Sequence, residues 1–168
     1  MARVIAEAKS PLGCSDAEIA AFCCYVRQGD EVESRGLEDR ARAARALVFL
    51  YVDRVLVGVA ALKRPTATYR DGKFRAAGVS ALKSTYSLEL GWVFVPPDHR
   101  GRHYSRVLVS AVMSQADNAP LFATTRSDNP AMQRSLENVG FARAGKAWKS
   151  KRGDYELVLY LAPPPNSR

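Results

Sequence analysis

Residues 98–107, Asp98-His99-Arg100-Gly101-Arg102-His103-Tyr104-Ser105-Arg106-Val107, decide how the rest of this chain is read. Before them lies Ser87–Val95 (SLELGWVFV), an apolar run that reads as a buried strand. After them, Val107 to Met113 carries apolar residues at helical spacing. A strand, a basic glycine-bearing turn and a helix form a layout suited to a phosphate. The N–H groups of a helix's first turn have no acceptors inside the helix, and the helix dipole adds positive character there. Arg100, Arg102 and Arg106 set three guanidinium groups beside those donors, a match for a pyrophosphate. Read without a ligand, the same residues are a basic turn that caps an ordinary helix.

Outward from this turn, the 168 residues are enough for one domain with a sizeable core and too few for two comfortable ones. The expected organisation is a single domain over residues 1–161 and a proline-rich disordered tail over 162–168. A net charge of +8 points to anionic partners. The charges are dispersed, so a solvated basic surface is favoured over a dedicated nucleic-acid groove. Cys14, Cys23 and Cys24 have neither disulfide nor metal-ligand spacing, which fits a reducing compartment. The start, MARVIAEAKSPLG, lacks the apolar centre of a signal peptide, and no stretch is suited to crossing a membrane. The expectation is a soluble cytoplasmic protein with no membrane partner.

In chain order, Val4 to Ala8 reads as a short strand, then Ser15 or Asp16 caps a helix to about Gln28, with Glu18 three residues after Ser15 to complete a capping box. Ile19, Phe22, Cys23 and Val26 share one face of it. Asp30 to Gly36 is an acidic connection, and the alanine- and arginine-rich Leu37 to Ala46 is expected to be helical. Val48–Val52 and Val55–Leu62 form a hairpin around Asp53-Arg54. Thr66 to Ser84 is basic and has no period; it reads either as a long surface loop or as a substrate-facing insertion. Beyond the phosphate turn and its helix, Leu121–Thr125 is a strand. Asn129 or Asp128 caps a further helix with Pro130 at its first position and Gly140 at its end. Ala142–Ser150 and Tyr155–Leu161 read as a final hairpin. Helices interleaved with hairpins predict an α/β fold with a mixed sheet covered by helices.

In its spacing from Pro96 onward, PPDHRGRHYSRVL resembles the acetyl-CoA-binding signature of the GNAT superfamily of N-acetyltransferases. That signature is written Q/R-x-x-G-x-G/A after a strand ending in V-x-P. Arg100 fills its first position and Gly101-Arg102 repeats the common R-G-R form. His103 and Ser105 replace the two small residues of the motif. Neither removes a backbone N–H, but glycine is used where φ is positive or a ligand comes close. A second signature follows in order: the family's helix opens with Asn and closes in G-F about three turns later, as Asn129 and Gly140-Phe141 do. The element order resembles the GNAT fold from end to end. That resemblance implies a mixed sheet of six to seven strands with about four helices.

The resemblance also implies site residues. The pantetheine arm of acetyl-CoA would bond to backbone groups of Val93, Phe94 and Val95, and the pyrophosphate would sit on Gly101, Arg102, His103, Tyr104, Ser105 and Arg106, next to Arg100. Asn129 would contact the cofactor from the next helix. Glu89, eleven residues before Arg100, stands where some lysine-acetylating members carry a general base. Its other reading is a solvent-facing glutamate; alternation cannot decide, because Leu88 and Leu90 are both apolar. The acid that another subset places five residues before the helix Asn is absent, the position being Thr124. The usual general acid, a tyrosine seven residues after the Asn, is Leu136 here, which leaves Tyr104, Ser135, His103 or water as proton sources.

The implied activity is transfer of an acetyl group from acetyl-CoA to a primary amine, without a metal. Two alternatives stand beside it: a non-catalytic acyl-CoA-binding module, and an acyltransferase directed at nucleic acid such as tRNA. The expected assembly is a monomer or a homodimer, the C-terminal hairpin being the element able to pair with a second chain.

Overall fold

Strands β1 (Val4–Lys9), β2 (Ala46–Val52), β3 (Val55–Lys63), β4 (Leu88–Phe94), β5 (Leu121–Arg126), β6 (Ala142–Lys149) and β7 (Glu156–Ala162) are hydrogen-bonded in the order β1-β2-β3-β4-β5-β7-β6. Between them run helices α1 (Asp16–Arg27), α2 (Leu37–Arg42), α3 (Ala67–Ala76), α4 (Tyr104–Ser114) and α5 (Pro130–Glu137). The structure, a computed structural model, describes residues 1–29 and 32–164. Asp30 and Glu31 of the expected acidic connection, and residues 165–168 of the expected tail, lie outside the described residues. The sheet is mixed, as expected: β4 and β5 are parallel, while β1–β2, β2–β3, β5–β7 and β6–β7 are antiparallel. Among the described residues, no helix is long and apolar enough to cross a membrane.

The chain divides into two compact units. The first holds residues up to Lys63 together with Leu90–Gln115. In it, α1 begins with the capping box read from the sequence: Glu18 N–H donates to Ser15 Oγ at 3.1 Å, and Ser15 N–H to Glu18 Oε1 at 3.0 Å. Lys9 adds its ammonium to the same carboxylate, and this bond, more than the cap, holds the Glu18 carboxyl below the ordinary glutamate range. Ile19, Phe22, Cys23 and Val26 pack with Phe49 and Val59 in one apolar cluster, so Cys23 is a core residue. Helix α2 is shorter than expected. Arg45 N–H donates to Leu62 O at 2.9 Å and Ala46 pairs with Leu62, so the sheet claims residues whose local propensity is helical. The β2–β3 turn is the predicted one: Asp53 (φ 49°) and Arg54 (φ 72°) both take left-handed backbone, as a two-residue hairpin turn of this kind requires.

The second unit holds Arg64–Glu89 and the residues from Ala116 onward. Here the loop expected over Thr66 to Ser84 is corrected. It forms α3, whose first turn is capped by Thr66 accepting from Tyr69 N–H at 3.3 Å, and then a short 3-10 turn over Ser80–Thr85. The helix escaped notice because Phe74 is its one buried residue and Gly72 interrupts it, so it carries no apolar stripe. Phe74 meets Phe122 edge-on, with ring centroids 5.4 Å apart. Strand β7 ends one residue later than expected, with Ala162 paired to Leu121. Strand β6 bulges between Ala144 and Trp148, where Gly145 takes φ 69° and Lys146 N–H donates to Ala77 O at 2.9 Å.

Candidate functional site

In the first unit lie most of strand β4 and the turn that follows it. Inside the strand, Trp92 adopts φ 52°, an outlier for a bulky residue, and so interrupts the regular pleat. Its ring is fixed from two sides, edge-on to Phe22 at 6.0 Å and under the Lys63 ammonium at 4.7 Å. Val93 is half-buried, and Phe94 and Val95 are buried. A 3-10 turn over Pro97–His99 then leads to Arg100. The Arg100 Nε–H donates to Val95 O at 2.8 Å, and the guanidinium lies 5.8 Å from the Phe94 ring centre. Arg100 thus ties the turn back to the end of β4. Arg102 and Arg106 are exposed.

The turn resolves what the two motif departures do. Gly101 takes φ 77° and His103 takes φ 61°, ψ 21° as the N-cap of α4. The position of the first motif glycine does require left-handed backbone, and a histidine holds it at some cost in strain. His103 caps through its carbonyl, which accepts from the N–H groups of Arg106 (3.1 Å) and Val107 (3.3 Å), and its side chain makes no cap bond. Tyr104 is buried on the same helical face as Leu108 and Val112, so what it offers the turn is its backbone. Ser105 is half-buried at the second position of the helix.

In the second unit, Glu89 is 3% exposed, so the solvent-facing reading of this residue is set aside. It pairs with Phe122 at the last register position of the parallel β4–β5 ladder, which covers Leu88–Leu121 and Glu89–Phe122. The Tyr69 hydroxyl of α3 donates to Glu89 Oε1 at 3.2 Å. The Lys73 ammonium lies 5.0 Å from the centre of the Tyr69 ring. Asn129 is exposed and caps α5, its Oδ1 accepting from Met132 N–H at 3.1 Å. Leu136 is fully buried, and Ser135, one of the expected proton sources, donates to Ala131 O at 3.0 Å. The buried Tyr160 hydroxyl lies 3.2 Å from both Gln133 Oε1 and Glu137 Oε1. Burial and then the nearby Glu137 charge raise this phenol above the usual tyrosine range, so it stays a donor. Among the described residues, no cluster of His, Cys, Asp and Glu is placed to hold a metal ion.

The sequence did not show the Tyr69 bond to Glu89 or the backbone turn at Trp92. Tyr69 lay in the segment without a period, where Thr66 three positions earlier was the available sign of a helix start. Trp92 follows Gly91, and a glycine inside a strand run is the usual sign of a bulge.

The chain folds as the acyl-CoA N-acyltransferases do. It matches the Acetyltransferase (GNAT) family over residues 14–141 and belongs to that family. Solved structures agree over nearly the whole chain. An N-acyl amino acid synthase from uncultured soil microbes superposes with a TM-score of 0.73 at 14% identity, covering 98% of this chain and 93% of that one. A putative acetyltransferase from Salmonella typhimurium, solved with its cofactor acetyl-CoA, gives 0.65 at 17% identity, covering 96% and 94%. The ribosomal-protein-S18-alanine N-acetyltransferase of Escherichia coli gives 0.64 at 12% identity, covering 95% and 94%. At these identities the likeness is one of fold. No curated protein sequence matches the chain significantly.

Proposed function

We propose that this chain is an N-acetyltransferase that moves an acetyl group from acetyl-CoA to a primary amine, with Glu89 as general base. The observation that carries the reading is Glu89 itself: a carboxylate buried in an apolar strand and held by the Tyr69 hydroxyl at 3.2 Å. A buried carboxylate is costly to a fold that makes no use of it. The strand that bears it leads directly into the α4 turn, whose left-handed Gly101 and His103 open a helix start flanked by Arg102 and Arg106. Family membership and the acetyl-CoA-bound Salmonella structure support the choice of co-substrate.

In this reading, the pyrophosphate sits on the backbone N–H groups of residues 101–106, with Arg102 and Arg106 as its charged partners and Arg100 as the tether that shapes the turn. Backbone groups of Val93, Phe94 and Val95 hold the pantetheine arm, and Asn129 adds a contact while capping α5. Glu89 accepts a proton from the acceptor ammonium. The freed amine nitrogen attacks the thioester carbonyl carbon, the C–S bond breaks with its electron pair leaving on sulfur, and the nitrogen gives up its second proton to solvent as the amide forms. A thiol of ordinary pKa, about 8.5, leaves without a dedicated acid and takes its proton from solvent, which accommodates a leucine at position 136.

Buried Leu136 favours a second reading, an acyl-CoA-binding module without turnover. Calorimetry with acetyl-CoA, followed by thiol release against a panel of amines, separates the two. Binding with amine-dependent thiol release, lost in Glu89→Gln, supports the enzyme. Binding without release supports the module, and absence of binding removes both.

A further inference from the structure

Thr124 Oγ1 and Tyr155 OH are buried hydroxyl oxygens that hydrogen-bond to no group among the described residues. Such groups are rare, because a buried hydroxyl without a partner forfeits the bonds it made in water. Both lie on the side of the sheet that faces α3. Phe122 faces that side, against Phe74, and it is the register partner of Glu89. Thr124 and Arg126 follow at alternate positions of β5, so the pleat sets them on the same side as Phe122. The Tyr155 ring lies against the Arg126 guanidinium, 3.9 Å from its central carbon. Arg126 also holds Asp128 through two bonds, Nε–H to Oδ1 at 2.9 Å and Nη2–H to Oδ2 at 2.8 Å. Glu89, Thr124 and then Arg126 with Tyr155 therefore form successive levels along one face, about 7 Å apart from the rise of a strand.

We propose that this line is the acceptor subsite, and that the acceptor is an α-amino carbonyl compound, either a free amino acid or the amino terminus of a peptide. The inference rests on the acetyl-transfer reading above. The acceptor's amine lies at Glu89, its first carbonyl or carboxylate oxygen accepts from the Thr124 hydroxyl, and in a peptide the next carbonyl accepts from the Tyr155 hydroxyl. A hydroxyl is a neutral donor that suits such oxygens. A polyamine or a lysine side chain would lay methylene groups past Thr124 and leave its hydroxyl unpaired. A second ammonium would also meet Arg126.

The test uses the full chain and begins with acetyl-CoA binding by calorimetry. Absence of binding removes the acetyl-transfer reading and this inference with it. Given binding, four acceptor arms are compared: a panel of free amino acids, a lysine-free peptide with a free amino terminus, an N-formylated peptide with one lysine, and spermidine. Turnover in either of the first two arms, and its near absence in the last two, is the expected result. The first two arms also tell a free amino acid from a peptide. Thr124→Val should raise the acceptor KM roughly tenfold, and Tyr155→Phe should do so for a peptide acceptor, each the worth of about one hydrogen bond, with the KM for acetyl-CoA unchanged. Their Tm should equal or exceed that of the wild type, since each removes a buried hydroxyl without a partner. Preference for spermidine or for the blocked lysine peptide overturns the inference while leaving acetyl transfer intact. So does an unchanged acceptor KM in both variants, or a Tm lowered by several degrees. Turnover in none of the arms overturns the inference together with the acetyl-transfer reading.

Discussion

The Tyr69 hydroxyl donates to Glu89 Oε1 at 3.2 Å, joining residues twenty positions apart in the chain, one on α3 and the other on β4. A phenol at this distance fixes which way the carboxylate points, and a general base works only when its lone pair is aimed at the proton it takes. In the acetyl-transfer reading proposed above, Tyr69 is thus a positioning residue for Glu89. With acetyl-CoA and a working acceptor, Glu89→Gln should lower kcat about 10²–10⁴-fold. Tyr69→Phe should lower it about tenfold, the worth of one hydrogen bond. Both losses should fall on kcat rather than on the acceptor KM. A Tyr69→Phe variant that raises KM alone would make Tyr69 a binding residue instead.

The three arginines of the turn should separate by assay. Arg102→Ala and Arg106→Ala should each weaken acetyl-CoA binding about tenfold or more, as for loss of a charge-assisted bond to phosphate, and the weakening should shrink as salt is raised. Arg100 instead bonds the Val95 carbonyl, so Arg100→Ala should lower stability by about 1 kcal/mol as well as loosen the cofactor. Calorimetry and urea denaturation on the three variants check this. Equal effects of all three on binding, with no change in stability for Arg100→Ala, would contradict the tether.

His103 sits at φ 61° without a side-chain cap bond, a conformation that costs an L-residue about 1–2 kcal/mol and glycine almost nothing. Part of that gain is offset by the greater freedom of glycine in the unfolded chain. His103→Gly should therefore stabilise the protein by up to about 1 kcal/mol, read from urea denaturation. It should leave acetyl-CoA binding equal or tighter. A clear loss of affinity would mean that the imidazole itself touches the cofactor.

Gly145 closes the bulge of β6 at φ 69°, and a Cβ there would stand 2.1 Å from the Ala77 carbonyl oxygen. The adjoining Lys146 N–H needs that same oxygen, at 2.9 Å. Gly145→Ala should cost about 2–4 kcal/mol, combining backbone strain with a clash against main chain that cannot rotate away. Thermal denaturation tests this; a neutral substitution would mean that the bulge opens freely.

Local chemistry explains which elements were legible. The Ser15–Glu18 capping box, the Asp53–Arg54 turn and the Asn129–Pro130 helix start are each set by a few adjacent residues, and all three form as read. The turn around Gly101 was legible for the same reason. Helix α3 was not, because Phe74 is its only buried residue and its stability comes from Phe122 and Tyr86, which are distant in sequence. Helix α2 was read too long because alanine propensity gives no warning that β3 will take Arg45 and Ala46 into hydrogen bonds.

By itself, the sequence determined the order of the elements other than α3, the mixed sheet, the family resemblance and the turn that opens α4, since all of these rest on periods and spacings within short windows. Only the tertiary structure decided the environment of Glu89. Its burial, the Tyr69 bond and the neighbouring line of Thr124 and Tyr155 arise from segments far apart in the chain, brought to one face of the second unit. Alternation within β4 could not choose a side for Glu89, because both of its neighbours are apolar. The packing of α3 beside the β4–β5 ladder made that choice.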